Sequence, residues 1–317
     1  MVTMAKGDHA LSGQDGGDAV LARALRAVGR MRALGLHFYG HFIGVTGQLP
    51  ADGRARLELE GEPGGVGAAV VSPAALATLA DLALSATVRS RVAPGARLGT
   101  VTLMLQHSPG DVAGPIVADA AVLQVENGFG AAQCTLWSGD VAIGAGQASF
   151  ALLPAPPGKA LRLTPWEQRD PPTIIAPSLD ELNEREAAAV AAARAAGQRA
   201  AVHGTAVSQE ILAFSWRVSP EGRASGMLEI GPELDNRVGH VQGGVLYGAA
   251  AATAIQALDA PEAVLADGYY QFLRPADGLI LSAEGTVVRR GRGAAFVEAR
   301  LMVDGTLVGI GLFSSRL

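Results

Sequence analysis

Polar and apolar residues alternate in "RARLELE" from Arg54, "LGTVTLMLQ" from Leu98 and "AAFVEARLMV" from Ala294. This two-residue period predicts strands with one buried face. Two runs of small apolar residues interrupt the pattern, "VVSPAALATLADLALSA" from Val70 and "QGGVLYGAAAATA" from Gln242, and both predict buried helices. The succession occurs twice. "ADGRARLELEGEP" from Ala51 matches "PEGRASGMLEIGP" from Pro220 at an offset of 169, and the helix from Ser72 matches that from Gln242 at 170. "TVTLMLQHSPGD" from Thr100 matches "ADGYYQFLRPADG" from Ala266 near 167, and the block from Val122 matches that from about Gly285 near 163. Four blocks in one order with slowly drifting offset indicate a duplication. Each copy predicts an antiparallel sheet wrapped around one helix, an α+β arrangement.

The expected organisation is a flexible N-terminus at 1–18, a first unit at 19–155, a linker at 156–199 and a second unit at 200–317. Prolines break the linker, and Ser178 with Glu181 forms a capping box for a helix expected to run to about Ala196.

Composition narrows the functional classes. Hydrophobic residues make up 49% and charged residues 17% of the 317, enough for a sizeable core. A net charge of −5 argues against nucleic acid as a partner. The single Cys134 excludes an internal disulfide and fits a reducing compartment, so a cytoplasmic location is expected. Residues 1–18 lack the apolar middle of a signal peptide. Ala68–Val88 carries Pro73 and a central Asp81, which fit a buried helix and not a membrane span.

The block "NRVGHVQGGVL" from Asn236, followed by an alanine-rich helix, resembles the central-helix signature of hotdog-fold acyl-CoA thioesterases of the phenylacetyl-CoA thioesterase type. "YQFLRPADG" and "VVRRGRGAAFVEARLMVDGTLVGIG" are similar to the strands that follow it in that family. The likeness covers nearly all of 200–317 and, less tightly, 36–152. It implies a double hotdog, two antiparallel sheets each wrapped around a central helix and fused into a pseudo-dimer. The family pattern is Asn, six residues later His or Gln, then Gly-Gly, then an acid about nine residues past the His. The second unit keeps Asn236, Gln242, Gly243 and Gly244 but has Ala251 at the acid position. The first has Asp81 there, with Val66, Ser72, Pro73 and Ala74 in place of the rest.

Each half therefore retains what the other lacks. A rise of ~1.5 Å per residue sets an acid nine residues along ~13 Å from its own glycine turn. In the family the acid serves the glycine turn of the opposite unit. Asp81 facing Gly243 and Gly244 would complete one site, and Ala251 facing Pro73 and Ala74 would leave the other incomplete.

The resemblance implies thioester hydrolysis with no cofactor and no metal, on an acyl-CoA or acyl carrier thioester. Asp81 would act as base or nucleophile. The Gly243 and Gly244 amides at a helix start would stabilise an oxyanion. Asn236 and Gln242 would orient the carbonyl or water, and His240 could line the pocket. Arg289, Arg290 and Arg292 form the densest basic cluster, either a landing point for coenzyme A phosphates or a solvated turn. His37, His41, His107 and His203 lack metal-ligand spacing and are assigned to packing or strand ends. Other readings are a hotdog hydratase or dehydratase using His240, and a non-catalytic acyl-CoA-binding protein. A homo-oligomer of the double-hotdog chain is also open.

Overall fold

In a computed structural model of the protein, residues 13–48, 52–61, 71–93, 96–107, 115–154, 163–168, 172–260 and 262–317 are described. Helices α1 (Gly13–Leu34) and α2 (Phe38–Phe42) precede strands β1 (Val45–Gly47) and β2 (Arg54–Leu59). Helix α3 (Pro73–Arg89) is followed by β3 (Arg97–His107), β4 (Ile116–Glu126), β5 (Phe129–Ser138) and β6 (Val141–Leu153). Helices α4 (Glu184–His203) and α5 (Val207–Glu210) lead to β7 (Ser215–Ser219) and β8 (Arg223–Glu229). Helix α6 (Gly243–Leu258) then precedes β9 (Val264–Phe272), β10 (Ile280–Arg290), β11 (Ala294–Val303) and β12 (Thr306–Arg316).

Among the described residues, twelve strands form one antiparallel sheet in the order β1-β2-β4-β5-β6-β3-β9-β12-β11-β10-β8-β7. Each half contributes six strands, and the order of one half mirrors that of the other. The expectation of two separate sheets is thus corrected to a single sheet. In six strands alone, β3 and β9 would each be an edge with unpaired N–H and C=O groups. Pairing them with each other removes both edges. Met104 lies opposite Tyr269 at the centre of this ladder, with Leu103 opposite Tyr270 next to it. A shift of 167 positions turns the pair Thr102–Gln271 into Tyr269–Met104, which is also a pair.

Helices α3 and α6 lie against the inner face, where strand alternation aims buried residues such as Ala55, Leu57 and Leu59 of β2. Ser72 caps α3 by accepting from the Ala75 amide at 3.1 Å, and Pro73 occupies its first turn. Gln242 caps α6 by accepting from the Val245 amide at 2.9 Å. Both helices are buried almost all round, which explains their lack of a polar face. Their contact depends on small residues. A Cβ on Gly244 would lie 2.3 Å from the Thr78 amide nitrogen, and one on Gly248 would lie 2.3 Å from the Ala74 Cβ. Shifting either contact by 170 positions gives the other.

Two local expectations change. The Ser178–Glu181 box exists, but it caps only a 3₁₀ turn at Leu179–Glu181. A second box, Asn183 with Glu186, starts α4, which runs to His203 instead of Ala196. Two overlapping cap patterns compete here, and the one directly ahead of the alanine run starts the helix. The other change is α1, whose first turns fall inside the stretch expected to be flexible. Val20, Ala24, Ala27 and Val28 give it an apolar stripe. It packs on α4, where a Cβ on Gly197 would come 3.1 Å from Val20. Arg32 clamps Glu186 through two bonds of 2.8 and 2.6 Å. Among the described residues no helix is long and apolar enough to cross a membrane.

Candidate active site

Asp81 faces out of the middle of α3 toward the start of α6. Its carboxylate accepts from the Thr100 hydroxyl at 2.9 Å on one oxygen and from the Gln242 carboxamide N–H at 3.1 Å on the other. Thr100 reaches it because the β3–β6 register slips between Thr100 and Thr102, a bulge that re-aims the side chain. Gln242 is held on its other side, where its oxygen accepts from Val245 N and from the Thr78 hydroxyl at 3.0 Å. That fixes the carboxamide with its N–H groups toward the acid. Gly243 stands next to them, since a Cβ there would lie 3.0 Å from the Asp81 Oδ2. As first-turn residues, Gly243 and Gly244 have amides without intrahelical partners.

Burial pushes the Asp81 carboxyl up to about 6, and the Thr100 hydrogen bond pulls the other way. The side chain is 6% exposed. It opens on a cavity of about 350 Å³ whose wall also includes Asn236, His240, Gln242, Gly243, Leu246 and Phe272. Replacing Thr100 by valine removes a donor to the charged form, so the carboxyl should titrate higher. With a hydrogen bond to a charged group contributing ~1.5–3 kcal/mol, the acidic limb of any Asp81-dependent rate should move up by about one pH unit or more. A pH–rate profile of Thr100→Val against wild type checks this.

The predicted residues divide. Asp81, Gln242, Gly243, Asn236 and His240 share the cavity. Asn236 does so with its side-chain Oδ1 engaged locally, accepting from the Val238 amide at 2.9 Å and the His240 amide at 3.1 Å. It shapes the loop ahead of α6. His240 lies 4.0 Å from Asp277, with no hydrogen bond to Asp81. Gly244 turns its Cα side to Thr78 and is absent from the cavity wall, so closeness of the two helices explains the second glycine.

The arginine cluster is not brought to this site. Arg290 donates to the Leu258 carbonyl at 3.0 Å, at the C-terminal end of α6. Fifteen residue rises separate that end from Gly243, about 22 Å. Arg289 and Arg292 are exposed at the same hairpin. Here cations meet the carbonyl end of the helix dipole.

At the corresponding place in the other half, Ser72 bonds Ser208 of α5 at 2.7 Å and Ala251 is fully buried. His37 caps α2 by accepting from the Gly40 amide, His41 is buried in α2, and His203 lies 3.1 Å from Glu210. The side chain of His107 lies outside the described residues. The Cys134 thiol is buried and pushed up to about 12.

The sequence reading missed several cavity residues. Thr100 lay inside a strand pattern, with nothing local to mark a bulge. Leu36, His37 and Trp166 reach the cavity from α1–α2 and from the linker, so these added segments wall it. Arg89 and Arg237 do so as well, and a signal existed for Arg89, which follows Asp81 at twice a four-residue spacing.

A large antiparallel sheet packed over a central helix pair fits an α+β hotdog fold. Across most of its length the chain resembles hotdog-fold thioesterases of known structure. A putative thioesterase from Novosphingobium aromaticivorans matches 85% of this chain and 97% of its own, with a TM-score of 0.54 at 17% identity. An acyl-CoA thioesterase II, TesB2, from Mycobacterium marinum matches 88% and 97%, with a TM-score of 0.51 at 14% identity. A protein of unknown function with the hotdog fold from Alicyclobacillus acidocaldarius matches 88% and 97%, with a TM-score of 0.53 at 10% identity. No family model matches the chain, and no curated protein matches it in sequence.

Proposed function

We propose that the protein is a thioesterase hydrolysing an acyl-CoA or acyl carrier thioester at one site per chain. The observation that carries this reading is a buried carboxylate held by Thr100 and Gln242 against the first turn of α6, at the wall of a cavity. Asp81 takes a proton from water as the water oxygen attacks the thioester carbonyl carbon. The carbonyl becomes an oxyanion, stabilised by the Gly243 amide and the second N–H of Gln242. Collapse breaks the C–S bond and expels the thiolate, which takes from Asp81 the proton that came from water. Both carboxyl oxygens are already hydrogen-bonded and little exposed, which suits a base acting through a small water better than direct attack on carbon. Carboxyl titration near 6 leaves the base ionised at neutral pH while keeping it more basic than a surface aspartate.

In this reading the chain is a double hotdog, units 19–155 and 200–317 forming a pseudo-dimer joined by the linker 156–199. The mirrored strand order and the paired helix contacts support it. Only one of the two composite sites works, because Ala251 offers no base and Ser72 is engaged by Ser208. A cytoplasmic location belongs to the same reading.

Acyl-CoA substrates assayed by release of free thiol test the proposal. Thiol release by wild type, kept within a few-fold by His240→Ala, is expected. Release of no thiol would refute hydrolysis. Water addition to an enoyl thioester that His240→Ala abolishes would identify a hydratase instead.

A further inference from the structure

We propose that the Arg89–Arg237 wall of the Asp81 cavity binds a carboxylate at the far end of the acyl chain, so that the preferred substrates are thioesters of dicarboxylic acids. This rests on the thioesterase reading. Asp81, Ser85 and Arg89 follow one another at four-residue intervals on α3, and all three line the cavity. Eight residues of helix set Arg89 ~12 Å beyond Asp81. Arg237, from the loop ahead of α6, lines the same cavity close enough to Arg89 to feel its charge. Its guanidinium is held below its usual range by desolvation first and then by the charge of Arg89.

Two like charges in a partly dry wall are costly unless an anion joins them. Glu167 offsets part of that cost, 4.0 Å from the Arg89 Nε. Arg89 also donates to the Ala96 carbonyl at 3.0 Å, and Arg237 has a partner within the chain too. A guanidinium carries five N–H donors, so the Ala96 and Glu167 contacts leave Arg89 others in the fork geometry that matches a carboxylate.

The surroundings bear on the choice between an acyl terminus and a coenzyme A phosphate. Leu36, His37 and Trp166 of the cavity wall are buried, with exposures of 2%, 5% and 3%. A phosphate of coenzyme A continues into a nucleotide that needs an open path, whereas a terminal carboxylate needs none. The span suits a chain of roughly six to ten carbons.

The test compares suberoyl and octanoyl thioesters, equal in length, each as the coenzyme A and the phosphate-free N-acetylcysteamine thioester. Wild type is expected to favour suberoyl at least ten-fold in kcat/KM. Arg89→Met is expected to lose that preference with both thiols, and Arg89→Lys to keep part of it. No wild-type preference, or equal losses on both acyl groups, overturns the proposal. A loss confined to coenzyme A thioesters, whatever the acyl group, assigns the arginines to phosphate and also overturns it. Calorimetric binding of suberate against octanoate gives a readout independent of hydrolysis. Suberate binding weakened in Arg89→Met, in a chain that hydrolyses no thioester, would keep the anion site and sink the thioesterase reading alone. Equal binding of the two acids would sink the anion site.

Discussion

Asp81→Asn should lower thioester hydrolysis by at least ~10²-fold, the usual scale for a positioned acid–base group, without unfolding the protein. An asparagine can still bond Thr100 and Gln242, accepting from the carboxamide and donating to the hydroxyl. Retained turnover would refute the role of the base. The same substitution should stabilise the protein at neutral pH. The folded carboxyl titrates near 6 and the unfolded one near 3.8. The folded state therefore holds the proton to higher pH, and wild type loses stability relative to the variant as pH rises from about 3.8 to 6. Above that window the variant should lead by roughly 2–3 kcal/mol, and below it the difference should vanish. Denaturant melts of both proteins at about pH 4.5 and about pH 7.5 measure it, and a lead that is larger at the lower pH would contradict the sign.

Gly244→Ala should destabilise the fold by about 3 kcal/mol or more. Its Cβ would stand 2.3, 2.4 and 2.5 Å from the amide nitrogen, Cα and Oγ1 of Thr78. Two of these atoms are backbone inside a packed helix, so the clash is relieved only by moving α3 away from α6, at the upper end of overpacking costs. Because that contact also sets Asp81 against Gln242, hydrolysis should fall in the protein that still folds. Gly239→Ala is a control outside the helix pair, although its φ of +91° adds local strain. A midpoint for Gly244→Ala within measurement error of wild type would show that the helices have room to part.

Much of this was legible in the sequence. The alternation in Arg54–Leu59 and Ala294–Val303 is local, and both became strands. The duplicated blocks anticipated helix starts 170 positions apart, at Pro73 and Gly243. Asp81 and the glycine turn were linked because each half carried what the other lacked, and the structure brings Asp81 beside Gly243. Other features were not legible. The Thr100 bulge depends on how β3 meets β6, and periodicity within one strand does not encode register between two. The cluster Arg289, Arg290 and Arg292 drew notice for its density, yet function depends on place, and it lies at the wrong end of α6. Arg89 and Arg237 are isolated in sequence and meet only where α3 ends beside the loop ahead of α6.

By itself the sequence determined the alternating strands, the two buried helices of the duplicated units, and the small residues along them. These follow from neighbours a few positions apart, where propensity and patterning act. Only the tertiary structure decided that Thr100, Gln242 and Asp81 join within about 3 Å, that Gly244 serves packing, and that linker and N-terminal segments wall the cavity. Hydrogen bonds and charge contacts fall off over a few ångströms. A helix crossing point or a one-residue slip in register moves groups by more than that, and both are fixed by packing over the whole chain.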